Sequence, residues 1–118
     1  MSWVRTKEEI KDYVQEHPAG GPGQMLVHPI IQSEDELLGK GRLFKLNTLE
    51  KDCGVGYHLH EGDTEFYIIL SGEGEYNDNG TVRTVKAGDV TFTGDGEGHS
   101  LTNHGDEPLS FIALILYA

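Results

Sequence analysis

From residue 25 onward, apolar and polar residues alternate over short runs cut by clusters of Gly, Asn, Asp and Pro. A period of two, interrupted this often, predicts antiparallel strands joined by tight turns. Strands are expected near 25–31, 41–50, 54–60, 65–71, 73–77, 81–86, 89–93, 99–104 and 108–117. Asn79-Gly80 supplies the positive φ angles of a primed hairpin turn. Lys86-Ala87-Gly88-Asp89 reads as a second turn. The pattern before residue 25 differs. Ile10, Tyr13 and Val14 lie at helical spacing behind Thr6 and Glu9, which have the spacing of a capping box. A helix is therefore expected over 6–17, ended by Pro18 and the glycines at 20, 21 and 23. Ser33 and Glu36 suggest one further helical turn at 34–38. The expected organisation is an N-terminal helix and Gly/Pro-rich hinge over 1–24, then an all-β sandwich or barrel over 25–118.

Composition sharpens this picture. A chain of 118 residues makes one domain, and its 16 glycines suit a turn-rich β fold. The net charge of −11 gives no basic footprint for nucleic acid and would be repelled by an anionic membrane surface. Cys53 is the only cysteine, so no disulfide staples the fold, and a reducing cytoplasm is the expected location. The first ten residues lack a signal-peptide core. The longest apolar run, near the C-terminus, is enough for one buried strand but too short for a membrane helix.

The chemistry concentrates in Tyr57-His58-Leu59-His60. On a strand, His58 and His60 share one face. The turn Glu61-Gly62-Asp63-Thr64 then delivers Glu65 back towards both imidazoles. A later strand begins at His99, and a barrel would set it opposite these three. Three imidazoles and one carboxylate suit a divalent first-row ion. Closed structural zinc sites more often use thiolates, and Cys53 alone is available. The plainer reading, a solvated His-x-His on a sheet face, fits the first motif only when it is taken alone.

These residues resemble the motifs of the cupin family. His58, His60, Glu65 and Gly72 match the family's first motif, and Gly88, Gly96, His99 and Asn103 match its second. Two positions depart from the pattern: Asp52 stands where the first motif opens with Gly, and Gly94 where the second has Pro. Both are turn positions. The resemblance implies a double-stranded β-helix (jelly-roll) barrel, here with a short N-terminal helix. It also implies a metal held by His58, His60, Glu65 and His99, the family's usual ions being Mn, Fe, Ni, Cu and Zn.

Several other residues are candidates for the pocket. Tyr67 shares the parity of Glu65, and Asn103 lies beyond His99 on its strand. Arg42 and Lys45 have opposite parity on one strand, so a regular strand points one of them inward; Arg42 is preferred as an anchor for a carboxylate or phosphate. Glu65 is a candidate acid or base as well as a ligand. Cys53 and Glu97 lie beside the motifs but read more simply as a small packed residue and a solvated turn carboxylate. His17, His28 and His104 need no role beyond local structure.

The favoured function is a metal-dependent enzyme acting on a small polar molecule, of dioxygenase, isomerase, decarboxylase or lyase class. The alternative is a non-catalytic binding module for a sugar or organic acid; a third reading is a metal-stabilised structural barrel. A homodimer is expected, because cupins are often dimeric and the last strand is apolar on both faces. Leu109, Phe111, Ala113 and Ile115 lie on one face, and Ile112, Leu114 and Leu116 on the other.

Overall fold

The computed structural model describes residues 2–118. Ten strands form two antiparallel sheets. In chain order they are β1 (Tyr13–Glu16), β2 (Gln24–Pro29), β3 (Gly41–Leu49), β4 (Gly54–Leu59), β5 (Asp63–Ser71), β6 (Glu73–Asp78), β7 (Thr81–Lys86), β8 (Val90–Thr93), β9 (Gly98–Thr102) and β10 (Leu109–Tyr117). The larger sheet runs β1-β2-β3-β10-β5-β8 and the smaller β4-β9-β6-β7. This is the jelly-roll arrangement that the cupin resemblance implies. Among the described residues, no helix is long and apolar enough to cross a membrane.

The alternation that predicts strands also builds the core. Along β10, Leu109, Phe111, Ala113 and Ile115 are buried, and the residues between them are not. Phe111 meets Val27, Leu49, Ile69 and Leu101 in one apolar cluster between the sheets. Burying each such side chain contributes about 1.5–3 kcal/mol. At the β6–β7 hairpin, Asn79 and Gly80 both have positive φ, 49° and 104°. Asp52 has a φ of 65°, the left-handed conformation that glycine favours at the first motif's opening position.

The N-terminal helix is not present. Residues 6–17 form a single 3₁₀ turn, Lys7–Glu9, and then strand β1. Thr6 is extended and its side chain makes no capping bond. A lone twelve-residue helix is marginal in water, and Tyr13 and Val14 favour strand. The edge of β2 offers unpaired backbone groups, and β1 takes them in the register Tyr13↔Val27 to Glu16↔Gln24. Tertiary pairing overrides the local pattern. The expected turn at 34–38 is present as a 3₁₀ turn, Glu34–Leu37.

Between β1 and β2, the turn Pro18–Gly20 presses against β4. A side chain at Gly56 would collide with the carbonyl of Ala19, and one at Gly21 with the carbonyl of Gly54. Two bare backbones meet here, beside the strand that carries His58. Gly56→Ala is therefore expected to lower stability by about 1–3 kcal/mol, the range for overpacking. Gly105→Ala, whose nearest neighbour would lie 3.5 Å away, should stay within about 0.5 kcal/mol. Urea unfolding of both variants checks this, and equal midpoints would refute the close-packing argument.

Candidate metal centre

Each site residue is placed by strand register. His58 on β4 lies directly across from His99 on β9, and Leu59 across from Gly98. His60 follows the end of β4, and a tight turn returns the chain to Glu65 on β5. The three imidazole centroids stand 4.7–5.1 Å apart. His99 Nε2 is 3.1 Å from both His60 Nε2 and His58 Nε2. Glu65 Oε1 lies 2.9 Å from His99 Nε2, 3.1 Å from His60 Nε2 and 3.9 Å from His58 Nε2. One ligand atom from each of the four residues falls within 4.8 Å of the others.

The opposite ring nitrogens explain why the Nε2 atoms converge. His58 Nδ1 donates to the Gly56 carbonyl at 2.8 Å, and His60 Nδ1 donates to Asp63 Oδ1 at 2.6 Å. His99 Nδ1 lies 2.9 Å from both the Tyr76 hydroxyl and Thr93 Oγ1. With Nδ1 engaged in this way, each ring is oriented with Nε2 towards the centre. Arg42 Nε in turn donates to Asp63 Oδ2 at 2.8 Å. The site therefore has an ordered layer behind its ligands.

The electrostatics agree with this geometry. Burial alone would raise the Glu65 carboxyl, but the three imidazoles gathered around it outweigh burial and hold the group far below the carboxylate range. Glu65 is thus an anion while only 4% exposed. Burial pulls His99 below its ordinary value, which favours the neutral form that ligates metals. His60 is raised, first by its bond to Glu65 and further by Asp63. Nitrogen atoms 3.1 Å apart around an ionised carboxylate match donors held about 2.1 Å from one shared ion. The donor set is compatible with a divalent metal.

The site opens into a cavity of about 190 Å³. Its walls include Lys45, Asn47, Tyr67, Leu59 and Arg42. Tyr67 stacks on His99, with centroids 4.7 Å apart, and burial drives its phenol well above the ordinary value. A larger open groove of about 810 Å³ runs under the N-terminal segment and shares Arg42, Leu43 and Lys45 with the cavity, but none of the four clustered residues lines it.

The other candidates separate clearly. Lys45, not Arg42, shares the inward parity of Leu43 and Asn47. Arg42 lies at a bulge, because β10 pairs Leu43 with Ile115 and Gly41 with Leu116 and leaves Arg42 without an opposite residue. Its side chain borders the cavity and donates to Asp63. Asn103 does not line the cavity. Its carboxamide donates to the carbonyls of Leu49 and Glu107 and accepts from Gly105 N–H, tying loop ends together. Cys53 packs against the core, and Glu97 Oε1 accepts from Gly94 N–H in its own turn. His17 and His28 bond to Gly21 and Asp12, and His104 is exposed.

Sequence reasoning missed Asp63, Tyr76, Thr93 and Asn47. Asn47 carried a readable signal, as a polar residue at an inward position between Lys45 and Leu49. Asp63 lies in a segment, Glu61-Gly62-Asp63-Thr64, whose local pattern signals only a connecting turn.

The comparisons agree with this architecture. The cupin domain profile matches residues 46–115, and the chain belongs to the cupin family. It is 43% identical over 113 residues to an oxalate-binding protein of Thermotoga maritima, covering 96% of this chain and 92% of that one. It superposes with a TM-score of 0.93 on the crystal structure of a predicted oxalate decarboxylase from Thermotoga maritima, at 39% identity over 98% of this chain and 100% of the other. The cupin domain of Schizosaccharomyces pombe Cnp3 shares the fold at 14% identity, with a TM-score of 0.71 over 90% of this chain and 69% of that one.

His58→Ala with His60→Ala is expected to remove most bound metal and to lower the melting temperature. Plasma mass spectrometry on untagged, chelator-free protein measures the first and calorimetry the second. Unchanged metal content in the double variant would refute the ligand assignment.

Proposed function

We propose that this chain binds a small organic diacid at a divalent first-row ion (Mn, Fe, Ni, Cu or Zn) held by His58, His60, Glu65 and His99. One observation carries this reading: three of the four clustered donors, His58, His60 and Glu65, line a cavity of about 190 Å³ that also holds Lys45 and Arg42. The cavity is below the roughly 300–1,000 Å³ of drug-sized sites, so the ligand is small. Two cations at the cavity of a chain with net charge −11 favour an anion. A bound ion would supply positive charge and Lewis acidity to the ligand's oxygens. The oxalate-binding relative makes oxalate the first compound to test.

Binding fits the cavity wall better than turnover. Glu65 is the only carboxylate among the described lining residues, and it belongs to the donor set. Tyr67 keeps its proton, so it donates a hydrogen bond but does not act as a base. A metal-dependent decarboxylase or lyase remains the enzymatic counterpart of the same site. The reading places the protein in the cytoplasm, where a lone cysteine stays reduced.

Oxalate should raise the melting temperature of the metal-loaded protein and leave His58→Ala/His60→Ala unmoved. At a hundredfold excess over Kd the stabilisation is about 2.7 kcal/mol. No shift with the metal-loaded protein would overturn the diacid reading. Oxalate consumed with release of carbon dioxide would replace binding by decarboxylation.

The same reading includes a homodimer formed through the outer face of the larger sheet. Phe66 on β5 stands opposite Phe92 on β8 and Leu114 on β10; Ile68 stands opposite Val90 and Ile112. Val90 is 60% and Phe92 51% exposed. A contiguous apolar ladder of this kind requires a cover, and a second copy supplies a self-complementary one. Light scattering at micromolar concentration should give twice the chain mass, and Phe92→Lys should return it to one. A monomeric native protein would refute the dimer.

A further inference from the structure

The inner face of β3 carries a buried amide oxygen without a partner and a cation without a carboxylate. Asn47 is 4% exposed and lines the cavity beside His58, His60 and Glu65. Its Oδ1 is buried without a hydrogen-bond partner. A buried, unpartnered amide destabilises a fold, and native structures seldom keep one without a reason. Two positions away, Lys45 shares that face and that cavity. Its ammonium lies 5.5 Å over the Tyr13 ring, where it meets an aromatic face rather than a carboxylate. An amide and a cation that is paired with no carboxylate therefore border the space in front of the histidines.

We propose that Lys45 and Asn47 form an anion subsite that receives the carboxylate oxygens the metal does not hold, so that the cavity selects diacids over acids with a single carboxylate. This rests on the metal-dependent reading above and adds to it the residues that decide between ligands. Asn47 lines the cavity, and its N–H₂, which is not the end buried without a partner, can donate to a carboxylate there. The Lys45 ammonium adds a charge-assisted bond. β3 then forms the pole of the cavity facing the donors on β4, β5 and β9.

The test compares oxalate with glycolate by calorimetric titration of the Mn-loaded protein. Glycolate keeps one carboxylate and a metal-binding hydroxyl but lacks the second carboxylate. Wild type should prefer oxalate. Lys45→Met and Asn47→Leu should each weaken oxalate about tenfold or more, as expected for loss of a bond to a charged group, while glycolate affinity and metal content stay unchanged. Asn47→Leu should also raise the melting temperature of the ligand-free protein, because it removes an unpaired buried amide; a purely structural Asn47 would give the opposite sign. Lys45→Met sits at a half-buried position and keeps the proposal testable if Asn47→Leu does not fold. Oxalate bound equally by wild type and variants, with metal retained, would overturn this subsite alone. Glycolate binding wild type as tightly as oxalate would overturn it too. Wild type that takes up no metal would overturn the parent reading and this one together.

Discussion

An ionised carboxylate sits at the centre of this barrel, almost out of reach of water, and the surrounding structure answers to it. Glu65 would be strongly destabilising at that depth without positive or hydrogen-bonding neighbours. Three imidazole Nε2 atoms surround it, at 2.9, 3.1 and 3.9 Å, and His60 is the ring whose affinity for a proton is raised by the contact. Those rings hold their positions because Gly56, Asp63, Tyr76 and Thr93 engage their other nitrogens. The β4–β9 register that faces His58 with His99 is therefore tied to the burial of one charge. A one-residue slip would turn both side chains to the other face.

Around that centre the charges are unevenly distributed. The chain carries 20 acidic residues against 9 basic ones, yet Arg42 and Lys45 both border the site cavity. They reach it by different routes. Lys45 follows strand parity. Arg42 is carried there by a bulge, and through Asp63 it is joined to His60. The outer face of the same sheet is apolar, so β10 is buried on one side and half-buried on the other. One strand thus serves both the interior and a surface suited to association.

Much of this was legible in the sequence because period-two alternation and turn chemistry are local signals. Nine strands were anticipated to within about two residues, and Asn79-Gly80 made its hairpin for the reason glycine and asparagine suggest. His58, His60 and Glu65 were legible together because side-chain direction on a strand follows from counting, and His99 joined them through the resemblance to the second cupin motif. The reading failed over 6–17, where helical spacing was real but short. The open edge of β2 offered that segment more than an isolated helix does.

The sequence by itself determined the strand pattern, the convergence of His58, His60 and Glu65 and the negative charge of the chain, since each follows from residue type and local spacing. Only the tertiary structure decided that Asp63 would orient His60, that Tyr76 and Thr93 would flank His99, and that Asn103 would tie loop ends rather than line the cavity. It also decided that Lys45 follows the inward face while Arg42 needs a bulge. These outcomes depend on which strands become neighbours and in what register. Such pairings join residues as far apart as His58 and His99, and no local window of sequence contains them.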